Sequence, residues 1–278
     1  MLRTFALAVS LAALAASAAP AQDAAPAADP AAAAALEAAI AGAHRSEADR
    51  ARDQYRNPKE TLLFFGFRPD MTVVEIAPGG GWYTEILAPA LRARGRYIAA
   101  FNNPDASPEA KAARDAFAAR FANRDLYGDV TVANFGPGIM ASMAAPNSVD
   151  LVVTFRAMHG LIGRNLADEA FAAFYTVLKP GGRLGIEQHR QREDREPLPG
   201  PMQGGYIKES QVIALAEKAG FRLVARSEIN ANPKDTADWP QGVWTLPPTL
   251  ALKDQDREKY LAIGESDRMT LLFEKPAR

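Results

Sequence analysis

From position 71 onward, apolar runs alternate with amphipathic stretches of helical length. MTVVEIA (71–77), RYIAAF (96–101), DVTVANF (129–135), VDLVVTF (149–155), RLGIEQH (183–189) and FRLVARSEI (221–229) read as strands. The stretches 82–93, 107–122, 166–178 and 208–219 carry apolar positions at helical spacing between them. Strands that are apolar on both faces need helices on both sides, and strict alternation of strand and helix implies parallel pairing. A last strand, DRMTLLFEK (267–275), follows a long irregular stretch and is expected to return antiparallel. The pattern therefore predicts an α/β, doubly wound, mostly parallel seven-stranded sheet with an antiparallel last strand. No internal repeat is visible.

Upstream of the sheet, LEAAIAGAHRSEADRARDQYR predicts a helix with a heavily charged face, on which His44 is placed. Asn57-Pro58-Lys59-Glu60 has the form of a helix cap with proline at the first helical position, and Gly66 closes that short helix. Residues 36–66 form a helical lead-in to a single domain over 36–278. Residues 22–35 are alanine and proline without periodicity and read as a spacer. Residues 1–21 have the form of an export signal: one cation at Arg3, an apolar run from Phe5 to about Ala16, and Ala19-Pro20-Ala21 as cleavage site. That run is too short to span a bilayer, so export to the bacterial periplasm with no stable membrane insertion is expected.

Composition narrows the chemistry. Lys and Arg number 32 against 33 Asp and Glu, which lacks the basic excess that sequence-independent nucleic-acid binding needs. The chain has no cysteine, excluding disulfides, thiolate catalysis and Cys-ligated zinc.

The segment EIAPGGGWYTEIL (75–87) reads as a strand end, a glycine turn and the start of a helix. Gly79, Gly80 and Gly81 supply a turn without side chains where backbone must approach a ligand, and free N–H groups there attract polar or anionic groups. The spacing is G-x-G-x-x-T, because position 84 is threonine where dinucleotide-binding enzymes have a third glycine.

Three segments, VVEIAPGGG, the strand Asp150-Leu151-Val152-Val153, and LKPGGRLGI (178–186), together resemble the class I S-adenosylmethionine-dependent methyltransferases over roughly residues 58–230. The segments PGGGWYTEILAP, GGYIKE, EINANPKD, GVWTLPP and GESDRMTL are similar to a group of poorly characterised exported methyltransferase-like proteins. The resemblance implies S-adenosyl-L-methionine as cofactor, with Glu75, Ala77, Gly79, Gly80, Gly81, Tyr83, Asn102 and Phe155 as its candidate contacts. One position departs from the family. Its second strand usually ends in an acid that accepts both ribose hydroxyls, whereas this chain reads Asn102, with Asp105 three residues later. An amide offers one acceptor oxygen, so charge-assisted bonds worth roughly 1.5 to 3 kcal/mol each are lost.

Ligands of open parallel sheets sit beyond the carboxyl ends of the strands. His159, after the fourth strand, is either a general base or a loop histidine tying down carbonyls. Glu187 and His189 share one strand face and read as an acid–base pair, as substrate-positioning groups, or as two ligands of a metal site lacking a third. Tyr83 reads as a site residue or as core. Arg156, Arg190, Tyr206 and Trp244 are the substrate-side candidates.

Residues 230–264, punctuated by Asn-Pro, Trp-Pro and Pro-Pro, are expected to form an ordered lid over the site, facing the loop 192–206. Together these features predict methyl transfer to the oxygen or nitrogen of a small molecule. Two alternatives stand beside it: a non-catalytic small-ligand binder on the same fold, and an NAD-type oxidoreductase, which Thr84 disfavours.

Overall fold

The computed structural model describes residues 29–277, so the expected signal segment and the start of the spacer lie outside it. Its strands are β1 (Thr72–Ile76), β2 (Arg96–Asn102), β3 (Val130–Phe135), β4 (Val149–Phe155), β5 (Leu178–Gln191), β6 (Ile207–Lys208), β7 (Arg222–Ser227) and β8 (Arg268–Glu274). They form one sheet in the order β3-β2-β1-β4-β5-β8-β7, with the two-residue β6 pairing the end of β5. The pairs among β1 to β5 are parallel, and β8 runs antiparallel to both β5 and β7. The seven long strands and the direction of the last are those the apolar pattern implied; β6 was too short to leave a pattern.

The helices are α1 (Pro30–Ile40), α2 (Glu47–Arg50), α3 (Asp53–Arg56), α4 (Pro58–Phe64), α5 (Thr84–Leu91), α6 (Pro108–Arg120), α7 (Arg124–Tyr127), α8 (Met158–Gly163), α9 (Ala167–Val177), α10 (Glu209–Lys218) and α11 (Arg257–Ile263). The period of two in the central strands divides the core. Val73, Leu151 and Val153 face one layer with Leu36, Leu62, Ile86 and Leu87 from α1, α4 and α5. Val74, Val152 and Ile186 face the other with Phe171, Phe174 and Val212 from α9 and α10. None of the described helices is long and apolar enough to cross a membrane.

The lead-in differs from the single helix expected. Helix α1 begins inside the alanine–proline spacer, at Pro30, with the Asp29 carboxylate accepting from the Ala31 amide at 2.8 Å. It stops at Ile40, and α2 and α3 follow as separate turns. Arg45 explains the break: its buried guanidinium turns back to donate to the Ile40 carbonyl and to both oxygens of Asp53. His44 is not on a solvated face; its Nε2 lies 2.8 Å from the Glu85 carbonyl oxygen. Asn57 does precede Pro58, but its left-handed backbone (φ 38°) turns its side chain away from the helix, and its amide donates to the Ile229 carbonyl at 2.8 Å. The lead-in is thereby tied to the end of β7.

Residues 230–264 leave the carboxyl edge of β7 as an ordered connection. Asn230 anchors it by donating to Thr61 and Thr270. A short helical turn at Gly242–Thr245 packs against the loop 192–206: a Cβ on Gly242 would lie 2.1 Å from the Gly204 carbonyl oxygen, so only glycine allows the approach.

Candidate active site

A cavity of about 530 Å³ opens at the carboxyl ends of β1, β2, β4 and β5. Its first wall is the glycine turn. Ala77 (φ 50°) and Gly79 (φ 59°) take left-handed conformations, and the Gly81 amide closes the turn on the Pro78 carbonyl at 3.0 Å. No atom lies within 4 Å of a Cβ built on Gly79 or Gly80, so both present bare backbone to open space. Gly81 is different. Its Cβ would meet the Phe121 ring at 2.3 Å, so this glycine, proposed from sequence as a cofactor contact, is required by packing and does not line the cavity.

Behind the turn, Glu75 is 2 % exposed and accepts from the Tyr97 hydroxyl at 2.5 Å and the Thr84 hydroxyl at 3.2 Å. Burial pushes its carboxyl up to about 7 despite these donors. Thr84 thus has a local role in holding the carboxyl group. Tyr97 was not anticipated, because a tyrosine in an apolar strand gives no signal that its hydroxyl points at a carboxylate one strand away.

Trp82, Tyr83, Asn102 and Phe155 continue this wall. Tyr83 and Phe155 stack, with ring centroids 3.4 Å apart and planes 10° from parallel. Tyr83 combines its two expected roles: the ring is buried, and the hydroxyl donates to Glu187 at 3.0 Å. Asp105 does not line the cavity, which leaves Asn102 as the polar side chain at the end of β2.

The opposite wall is rich in charge. Arg52, Arg56, Arg156 and Arg268 line it. Glu265 accepts from Arg52 at 2.6 Å and from Arg268, and Arg268 also pairs with Glu187 at 3.3 Å. Burial alone would raise the Glu265 carboxyl, yet Arg268, Arg52 and Arg56 hold it at about 2. Arg56 lies 4.4 Å from the centre of the Trp82 ring, a cation–π contact joining the two walls. Glu187 itself does not line the cavity; it sits behind, taken up by Arg268 and Tyr83 as a partner for them and not as an exposed acid or base.

Both histidines do line the cavity. Gln188 orients His159: its Oε1 accepts from the Met158 amide, its Nε2 donates to the Gly205 carbonyl at 2.8 Å, and that same Nε2 lies 3.4 Å from His159 Nδ1. When Gln188 Nε2 donates to Nδ1, the proton of the neutral ring resides on Nε2 and His159 is a donor; the His189 carbonyl, also 3.4 Å from Gln188 Nε2, competes for that donor. Burial lowers the pKa of His159, and more strongly that of His189, which Arg268 and Arg156 also depress. His189 Nδ1 lies 2.5 Å from Ser266 Oγ.

Two substrate-side candidates lie elsewhere. Arg190 is consumed by Glu228 and Asp267, because the strand's alternation turns it away from His189. Tyr206 is fully buried beneath the lid, donating to Asp235 at 3.0 Å. Arg156 and Trp244 remain, and Trp244 meets the His159 ring edge-on at 5.9 Å. Pro247 and Pro248, joined by a cis peptide, complete that rim. Among the described residues no cluster of three or more His, Cys, Asp or Glu side chains could hold a metal ion.

Residues 74–186, from within β1 to the middle of β5, match the family described as methyltransferase domain. Solved structures similar in fold include a SAM dependent methyltransferase from Aquifex aeolicus, at 17 % identity and a TM-score of 0.54, covering 81 % of this chain and 93 % of that one. The cyclase SpnF is similar at 16 % identity and a TM-score of 0.54, covering 86 % of each chain. No curated protein matches the sequence. The fold is that of the S-adenosylmethionine-dependent methyltransferases, with the glycine turn, Asn102 and the cavity on the edge of the sheet where ligands of such folds sit.

Proposed function

We propose that the protein is an exported methyltransferase that uses S-adenosylmethionine to methylate an oxygen or nitrogen of a small molecule. The observation that carries this reading is the bare backbone at Gly79 and Gly80 facing a 530 Å³ cavity within a matched methyltransferase domain. These residues fit the cofactor: the glycines admit close approach, Asn102 offers an oxygen for one ribose hydroxyl, and Ala77, Trp82 and Phe155 provide apolar surface. When bound, the cofactor supplies an electrophilic methyl group, and the protein's part is to align an acceptor with it. Trp244, Pro247 and Pro248 restrict water at the rim. His159 orients an acceptor atom by donation from Nε2. His189, kept neutral by burial and the neighbouring arginines, is a poor proton acceptor, so the proton that a hydroxyl or amine acceptor releases passes to solvent.

One observation favours a second reading, adenosyl binding without methyl transfer: Asn102 stands where an acid would grip the ribose, and a fold relative is described as a cyclase. Calorimetric titration of the ligand-free protein with S-adenosylmethionine, S-adenosylhomocysteine and NAD tests the cofactor assignment, and turnover of S-adenosylmethionine to S-adenosylhomocysteine separates methyl transfer from binding alone. Binding of the two adenosyl ligands and not of NAD is expected; NAD binding alone overturns the cofactor assignment. Export is tested by the intact mass of the protein from its native host, with residues 1–21 expected to be absent.

A further inference from the structure

Charge inside the cavity does not balance. Four guanidinium groups, those of Arg52, Arg56, Arg156 and Arg268, line it in front of two carboxylates, Glu187 and Glu265, and the rest of the lining adds Arg120 and Arg164 against Asp49 and Glu75. Glu265 accepts from Arg52 and Arg268, and Glu187 accepts from Tyr83 through Oε2 and pairs with Arg268 at 3.3 Å, its Oε1 having no hydrogen bond. Arg156 forms no ion pair among the described residues, and burial together with repulsion from Arg56 and Arg268 lowers its pKa to about 9. Several N–H groups of these side chains are buried without an acceptor: Arg52 Nη2, Arg56 Nε and Nη2, Arg156 Nε and Arg268 Nε. Arg56 is only 1 % exposed. Buried donors of this kind are normally bonded, and buried charges normally paired.

The cofactor does not remove the excess. S-adenosylmethionine carries a sulfonium, an ammonium and one carboxylate, so its arrival adds net positive charge to a wall that is already positive. Negative charge has to come with the other reactant. We propose, resting on the methyltransferase reading above, that the acceptor is an organic carboxylate whose anionic group is held by Arg56 and Arg156. The free atoms of Arg56 select a carboxylate: Nε and Nη2 lie on one edge of the guanidinium, the edge that donates two parallel bonds to a planar anion. The nearest oxygen of Glu265 is 3.6 Å from Nε, beyond a hydrogen bond, and is engaged by Arg268. Arg156, which lines the same cavity, has a left-handed backbone (φ 59°) held by its amide donating to the Glu187 carbonyl at 2.8 Å. Nearby, Trp244 and His159 offer aromatic surface for the body of such a molecule.

Benzoate and its neutral isostere benzamide test this, each titrated calorimetrically into the protein with and without saturating S-adenosylhomocysteine. Benzoate is expected to bind at least tenfold more tightly than benzamide, with a difference that shrinks as salt is raised. Arg156→Gln should lower benzoate affinity at least tenfold and leave benzamide unchanged, and Arg156→Lys should recover part of the loss. Arg56→Lys, which keeps the charge and loses the two-pronged edge, should weaken benzoate as well; circular dichroism establishes that each variant is folded. Equal binding of benzoate and benzamide by protein that binds S-adenosylhomocysteine overturns the carboxylate site and leaves the cofactor reading intact. Arg156-dependent benzoate binding without any adenosyl binding does the reverse.

Discussion

The wall formed by β1, β2 and the glycine turn and the wall formed by the four arginines enclose the same cavity, yet they are built from different materials. The first is backbone and ring: two open glycines, a positive-φ alanine, and the stacked pair Tyr83 and Phe155. Its one carboxyl group, Glu75, is held near neutrality by burial. The second wall is charge, and its carboxylate at Glu265 is driven the opposite way by arginines from α2–α3 and β8. A wall of bare backbone fits a ligand held by shape, and a wall of excess guanidinium fits one held by charge. The two can therefore be broken separately.

The largest effect is expected on the charged wall. Replacing Glu265 with Gln removes the anion that Arg52, Arg56 and Arg268 share and leaves buried cations uncompensated, a loss of about 3 to 5 kcal/mol. Urea unfolding at pH 7 measures it; a change under about 1 kcal/mol would mean the cluster is solvated and its charge excess immaterial. The pH signature has a definite sign. Because the folded state holds Glu265 at about 2, its contribution is complete above the ordinary carboxyl value and is lost as pH falls toward 2.

Glu75 carries the opposite sign. Its folded-state value of about 7 means the native protein keeps a proton that the unfolded chain releases near 4.5, so stability falls as pH rises from about 4.5 through 7. The total is at most about 3 kcal/mol. Glu75→Gln, which still accepts from Tyr97 and Thr84, should flatten this slope and be the more stable form at pH 8. An unaltered slope would place the titrating group elsewhere.

Within the glycine turn, Gly81→Val should cost about 2 kcal/mol, since it drives a side chain into Phe121 from a positive φ. Gly80→Val enters open space and should leave the unfolding midpoint within a degree or two while weakening S-adenosylhomocysteine at least tenfold. If Gly80→Val binds the ligand normally, the bare backbone is only a turn.

These differences also explain how far the sequence could be read. The strands themselves and the glycine turn follow from local pattern, because a strand's apolar run and a turn's glycines lie within a few residues of one another. Local pattern also placed His159, His189 and Trp244 at the correct sheet edge. It failed at Gly81, where the decisive neighbour is Phe121 on a distant helix end, and at Arg190, where alternation should have separated it from His189. The arginine wall was invisible as a unit. Arg52 meets Glu265, and Arg268 meets Tyr55, across 213 positions of sequence, and nothing in either stretch marks its partner. The lead-in reads as an amphipathic helix with a charged face; Glu47 and Arg50 do stay exposed, but Arg45 turns inward to Asp53 within the lead-in, and Arg52 and Arg56 turn to Glu265 far along the chain.

The smallest expected signal distinguishes the walls by fluorescence. Trp82 and Trp244 both line the cavity, on opposite sides: Trp82 follows the glycine turn and lies under Arg56, while Trp244 sits in the lid against His159. Trp239 lies outside it, its indole N–H donating to Asp235 at 2.7 Å with Lys259 over the ring. An adenosyl ligand on the backbone wall should therefore change emission chiefly through Trp82, and benzoate through both, since Trp82 lies against Arg56 and Trp244 against His159. Trp82→Phe should remove most of the response to S-adenosylhomocysteine and leave the Trp244 part of that to benzoate; Trp244→Phe should keep the response to S-adenosylhomocysteine and reduce that to benzoate, and Trp239→Phe should alter neither. The indole environment governs both position and intensity of emission, so the changes are expected to be modest, a few tens of per cent at most, and each variant needs a matched titration by calorimetry to show that affinity is preserved. If one tryptophan reports both ligands equally, the cavity is a single undivided site, and the separation of a backbone-held cofactor from a charge-held acceptor has to be given up.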